Sequence, residues 1–123
     1  MNKLINVILC TLLSVSGFSY AAPDKEAQAI ITKAQQGDME AQLTLGDLYA
    51  FAENGVEQDY EQALSWYEKA AVLGSAAAKY NMGSILVVSN KASDRVLAKE
   101  WLTQACDDGI EDSCDAALSI SEE

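Results

Sequence analysis

Cys106 and Cys114 are the only thiols beyond residue 10, and they flank the acidic stretch Asp107-Asp108-Gly109-Ile110-Glu111-Asp112-Ser113. Two thiols so placed could hold a metal, cycle between dithiol and disulfide, or staple the fold. Zinc would need two further nitrogen or sulfur ligands, and the chain has no histidine. A redox pair normally reads Cys-x-x-Cys, whereas seven residues intervene here. The residue types therefore favour a structural disulfide, with no metal and no cofactor expected.

Other chemistry finds little support. Without histidine the commonest general base is missing, and there is no Gly-x-Ser-x-Gly elbow to present a nucleophile. Glu111 and Asp115 could be imagined as paired carboxylates, but an acid-rich helix end is ordinarily a solvated face. Asp107-Asp108-Gly109 lacks the alternating oxygen ligands of a calcium loop. The chain is expected not to be an enzyme.

The N-terminus reads as an export signal. Lys3 precedes the apolar run Leu4-Ile5-Asn6-Val7-Ile8-Leu9-Cys10-Thr11-Leu12-Leu13, and Ser19-Tyr20-Ala21 offers small residues at the positions a signal peptidase reads. A membrane anchor needs roughly 20 apolar residues, and Ser14, Ser16 and Gly17 end this run early. Leu9 before Cys10 is too large for the usual lipoprotein site. Cleavage after Ala21 leaves a 102-residue domain, 22–123, without a membrane anchor. It would carry seven basic and nineteen acidic residues, a net charge of −12. That charge excludes nucleic acid and anionic lipid as main partners and permits a basic protein partner. The expected location is periplasmic or secreted, where disulfides persist.

A repeat organises the domain. Adding 35 to Asp59, Ala63, Trp66, Ala70 and Gly74 lands on Asp94, Ala98, Trp101, Ala105 and Gly109. Upstream the offset is 37, which carries Gly37, Ala41, Leu45 and Gly46 onto Gly74, Ala78, Met82 and Gly83. Each unit reads as two helices, with apolar stripes Ala41-Leu45-Leu48-Ala52 and Ala63-Trp66-Ala70-Leu73 at helical spacing. Asn54-Gly55 is expected to end the first helix, with Gly55 as its left-handed cap. Asp59 should open the second, with Gln62 completing a capping box. Asp94 should cap the equivalent helix, preceded by Asn90 as the left-handed residue. Gly46 and Gly83 lie within helices, where each costs about 1 kcal/mol, so a neighbouring helix must approach closely there. Six helices follow, near 24–36, 38–53, 59–73, 75–88, 94–107 and 110–121. Full units span about 38–73 and 75–108, and a half-unit covers each end. Cys106 ends a second helix and Cys114 starts the next first helix, so a short antiparallel turn brings them together.

The pattern Ala41-x3-Leu45-Gly46-x2-Tyr49, then Asn54-Gly55-Val56-x2-Asp59-Tyr60-x2-Ala63-x2-Trp66-Tyr67-x2-Ala70-Ala71-x2-Gly74, resembles a full Sel-one-like repeat. The second unit keeps Ala78, Gly83, Asp94, Ala98, Trp101 and Ala105 but lacks the Gly-Val loop. The resemblance covers roughly 34–118 and implies a short right-handed all-α solenoid of the tetratricopeptide type. Cysteine-rich members show the same Cys-x7-Cys spacing in every unit, where this chain has it once. Some of those relatives have been discussed as penicillin-binding or β-lactamase-like, but this sequence contains no Ser-x-x-Lys.

By the same resemblance, the first helix of each pair lines a concave face. Leu43, Asp47 and Phe51 then share that face with Tyr80, Ser84 and Val87. A second candidate surface is acidic and includes Asp112 and Asp115. The expected function is that of an exported, monomeric, non-catalytic module binding a protein or peptide, for example an immunity-type or inhibitor protein neutralising a periplasmic toxin or enzyme. An envelope scaffold, or a hydrolase of cell-wall or β-lactam substrates, are the alternatives.

Overall fold

The computed structural model describes residues 22–89 and 91–120; the expected leader, 1–21, and Asn90 lie outside them. Among the described residues there are six helices and no strand: α1 Lys25–Gln35, α2 Met39–Phe51, α3 Tyr60–Val72, α4 Ala76–Val87, α5 Ala92–Asp107 and α6 Glu111–Ser119. Each helix packs on the next in chain order, as a solenoid requires.

Local chemistry starts and stops these helices. The side chains of Asp24, Asp38, Asp59 and Ser75 accept from the backbone N–H of Ala27, Ala41, Gln62 and Ala78 at 2.9, 2.8, 3.0 and 3.2 Å. Each satisfies a donor that the first turn leaves unpaired. The three turns from second to first helix are built alike. Gly37, Gly74 and Gly109 take φ of 91°, 103° and 100°. The next residue then donates back into the preceding helix, Ser75 to Ala70 O and Ile110 to Ala105 O, both at 3.0 Å. This is the Schellman closure, which needs a residue tolerant of positive φ.

Several expectations require correction. α2 ends at Phe51, and Ala52 rather than Gly55 is its left-handed cap, at φ 58°. Ala52 therefore leaves the core stripe. Gly55 also has positive φ, and a side chain there would meet Ala22 O at 2.9 Å, because the chain entering α1 runs against this loop. The capping box is half made: the Asp59 N–H donates to Tyr49 O, so Gln62 has no donor to answer. α5 begins at Ala92, with Lys91 as its cap. Asp94 sits in the first turn, where its carboxylate accepts from Ser89 Oγ at 2.5 Å.

The core is thin and alanine-rich, with Ala27, Ala34, Ala63, Ala70, Ala78, Ala98 and Ala105 nearly inaccessible. Close approach replaces bulk. A methyl at Gly46 would overlap the Tyr67 ring, whose Cδ1 would lie 2.5 Å away, and one at Gly83 would meet Leu102 Cγ at 2.5 Å. Tyr67 and Leu102 occupy one repeat phase, 35 residues apart. Burying each contributes roughly 1.5–3 kcal/mol, which offsets the glycine cost. The expected stripe on α3 is thus rotated: Tyr67 is buried where Trp66 was expected, Trp66 is half-buried, and Leu73 is exposed.

Candidate functional site

Two candidate surfaces lie on opposite sides of α4. At 100° per residue, Tyr80, Ser84 and Val87 lie on one side and Met82 and Leu86 on the other.

On the first side, α2 and α4 present the six residues named from the sequence. Phe51 is 67% exposed and Val87 41% exposed. Ser84 is exposed, its hydroxyl donating to Tyr80 O at 2.9 Å, and Tyr80 is half-buried. Leu43 is half-buried against the apolar cluster around Tyr67 and Met82. Asp47 is engaged internally: its Oδ1 accepts from the Tyr67 hydroxyl at 2.6 Å and from Asn81 Nδ2 at 3.1 Å. Burial first, then the bond to Asp47 and its charge, pushes the Tyr67 phenol far above its ordinary range, while Asn81 acts weakly the other way. The hydroxyl therefore stays a donor, and α2, α3 and α4 meet at one hydrogen-bonded knot. Val88, which is 77% exposed, stands 37 residues after Phe51 and was missed although the repeat offset points to it.

On the second side, α3 and α5 form the walls of a cleft of about 410 Å³ with α4 as its floor. Met82 and Leu86 are buried at the bottom, Leu64 and Trp101 are half-buried on the walls, and Leu97 is 40% exposed at the rim. Glu61, Ser65 and Glu68 line the α3 edge, and no basic residue among the described ones lines the cleft. The Trp101 Nε1 is buried, and no acceptor among the described residues reaches it. Sequence reading missed this cleft because it joins three helices.

At the C-terminal end, Cys106 and Cys114 form a disulfide with a Cα–Cα distance of 4.9 Å. It ties the end of α5 to the first turn of α6. Asp112 and Asp115 are exposed on α6, and Lys79 Nζ pairs with Asp108 Oδ2 at 2.5 Å beside the turn. Among the described residues no group of His, Cys, Asp and Glu is placed to hold a metal. None of the described helices is long and apolar enough to cross a membrane.

Stacked helix pairs with apolar side chains left on their faces define a helical-repeat module of the kind that binds other proteins. The chain belongs to the Sel1 repeat family, whose model matches residues 40–75 and 76–110. It is also similar to the crystal structure of c5321, a protective antigen present in uropathogenic Escherichia coli strains displaying an SLR fold. The two share 29% sequence identity and a TM-score of 0.69 over 90% of this chain, which spans 23% of the length of that one. No curated protein matches the chain.

Proposed function

We propose that this protein is an exported, non-catalytic interaction module whose partner is a protein or peptide outside the cytoplasm. The observation that carries the reading is the apolar surface left on α2 and α4: a repeat unit that buries alanines leaves Phe51 two-thirds accessible. Val87 and Val88 at the end of α4 are exposed as well, and exposed apolar side chains grouped on one face, unlike single ones, mark interaction sites. The immunity or inhibitor type is the concrete form. Its support is the small size, the acidic charge suited to steering a basic target, and the Cys106–Cys114 disulfide, which belongs in an oxidising compartment.

Capture with the tagged chain from a periplasmic extract, followed by titration of the captured partner, tests the reading. No saturable partner would overturn it. With a partner in hand, Phe51→Ala is expected to leave the melting temperature unchanged and to weaken binding by about 1–3 kcal/mol, as truncation of an interface anchor does. Tyr80→Ala should weaken binding similarly, while charge reversal at Asp112 and Asp115 should mainly slow association and change its salt dependence. Export has its own check: intact mass of protein recovered from the periplasm should begin at Ala22, and a retained Met1 would contradict it.

A further inference from the structure

The internal repeat supplies a comparison for the cleft between α3 and α5. One unit upstream, Trp66 occupies the position of Trp101, and its surroundings there differ. Ile31 of α1 and Trp66 both pack against the apolar cluster of that unit. The Lys69 ammonium lies over the Trp66 ring, 3.9 Å from its centroid. Carried along the repeat by the same offsets of 37 and 35, these two positions become Glu68 and Gln104. The second tryptophan therefore stands in the same framework with neither an aliphatic side chain nor a cation supplied from those positions. What the chain provides instead is an open apolar cleft and two carboxylates, Glu61 and Glu68. Seven residues separate them on α3, about 10 Å along the helix.

We propose that this cleft takes an extended segment of a basic partner in the alternation basic–x–aliphatic–x–basic. In an extended chain the first, third and fifth side chains share one face, and the first and fifth lie roughly 13 Å apart. The aliphatic side chain enters between Leu64 and Trp101 above Met82 and Leu86. The two flanking cations reach Glu61 and Glu68. The proposal rests on the interaction-module reading and adds a second contact on the side of α4 away from Tyr80.

The test is a titration of the isotopically labelled full chain with the capped peptide Lys-Ser-Leu-Ser-Lys, following the two indole N–H signals, assigned with Trp66→Phe. The Trp101 signal should move saturably and the Trp66 signal should stay. Lys-Ser-Ser-Ser-Lys should bind about tenfold or more weakly, since the leucine's burial is lost. Glu61→Gln combined with Glu68→Gln should weaken the leucine peptide by roughly threefold to fivefold without changing the melting temperature, as for exposed ion pairs. Equal binding of the two lysine peptides, shifts confined to the Phe51 and Tyr80 side, or no shift at millimolar peptide would each overturn the proposal. A captured partner that binds wild type and the double glutamine variant alike would overturn the cleft and leave the interaction reading standing. Absence of any partner would overturn that reading instead.

Discussion

Tyr67→Ala is expected to cost about 3–5 kcal/mol of stability, the range for removing a buried aromatic ring. Domains of this size are stable by only about 5–15 kcal/mol, so this loss removes roughly a third or more of that stability in the lower part of the range. The ring is 1% exposed and fills the space over Gly46 between α2 and α3. Its hydroxyl holds Asp47, which in turn holds Asn81 on α4. Tyr67→Phe keeps the ring and removes only that donor, so it should cost about 1–2 kcal/mol. Urea denaturation of both variants separates packing from the hydrogen bond. Equal losses in the two would show that the hydroxyl, not the ring, holds the first unit to the second.

The same residue predicts a pH dependence. The native phenol is raised above its ordinary value, chiefly by burial. An unfolded tyrosine ionises near pH 10. Below that pH both states keep the proton and stability is unaffected. Above it the unfolded chain loses a proton that the folded chain retains, so stability falls as pH rises. Wild type should lose stability between about pH 10 and 11 more steeply than Tyr67→Phe. Parallel curves for the two proteins would refute this account.

Reduction of Cys106–Cys114 is expected to lower stability by about 2.5 kcal/mol, the loop-entropy value for so short a closure. The loss should be local. Among the described residues α6 packs chiefly on α5, and its apolar burial is confined largely to Ala117 beside the buried Ser113. The Lys79–Asp108 pair lies at the surface and contributes at most about 1 kcal/mol. Hydrogen exchange after reduction should accelerate first in Glu111–Ser119 and leave α2 and α3 protected. Uniform acceleration along the chain would mean that the disulfide stabilises the whole stack instead.

Much of this architecture could be read before any coordinates. Gly37, Gly74 and Gly109 punctuate the chain at nearly constant spacing because every second-to-first helix turn needs one residue at positive φ. Gly46 and Gly83 stood out as costs within helices, and each answers to a large side chain on the next helix. These are local requirements of backbone geometry, so residue type and spacing report them directly.

The errors have a common physical origin. Trp66 and Tyr67 are adjacent, and a helical stripe placed on either fits the alanines at 63 and 70 equally well. Which ring enters the core depends on where α2 lies, and Gly46, not α3, determines that. Likewise the left-handed cap could fall on Ala52 or Gly55, and the run of the chain from Ala22 to Asp24 against the loop reserves Gly55 for close approach.

The sequence by itself determined the period, the six helices, the glycine turns between units and the cysteine pairing, because each depends on residues at most a helix pair apart. Only the tertiary structure decided that Asp47 is engaged with Tyr67 and Asn81, and that an open cleft lies beside Trp101 while Lys69 lies over Trp66. Those facts depend on the relative placement of three helices, and no periodicity within one helix encodes the distance between its neighbours.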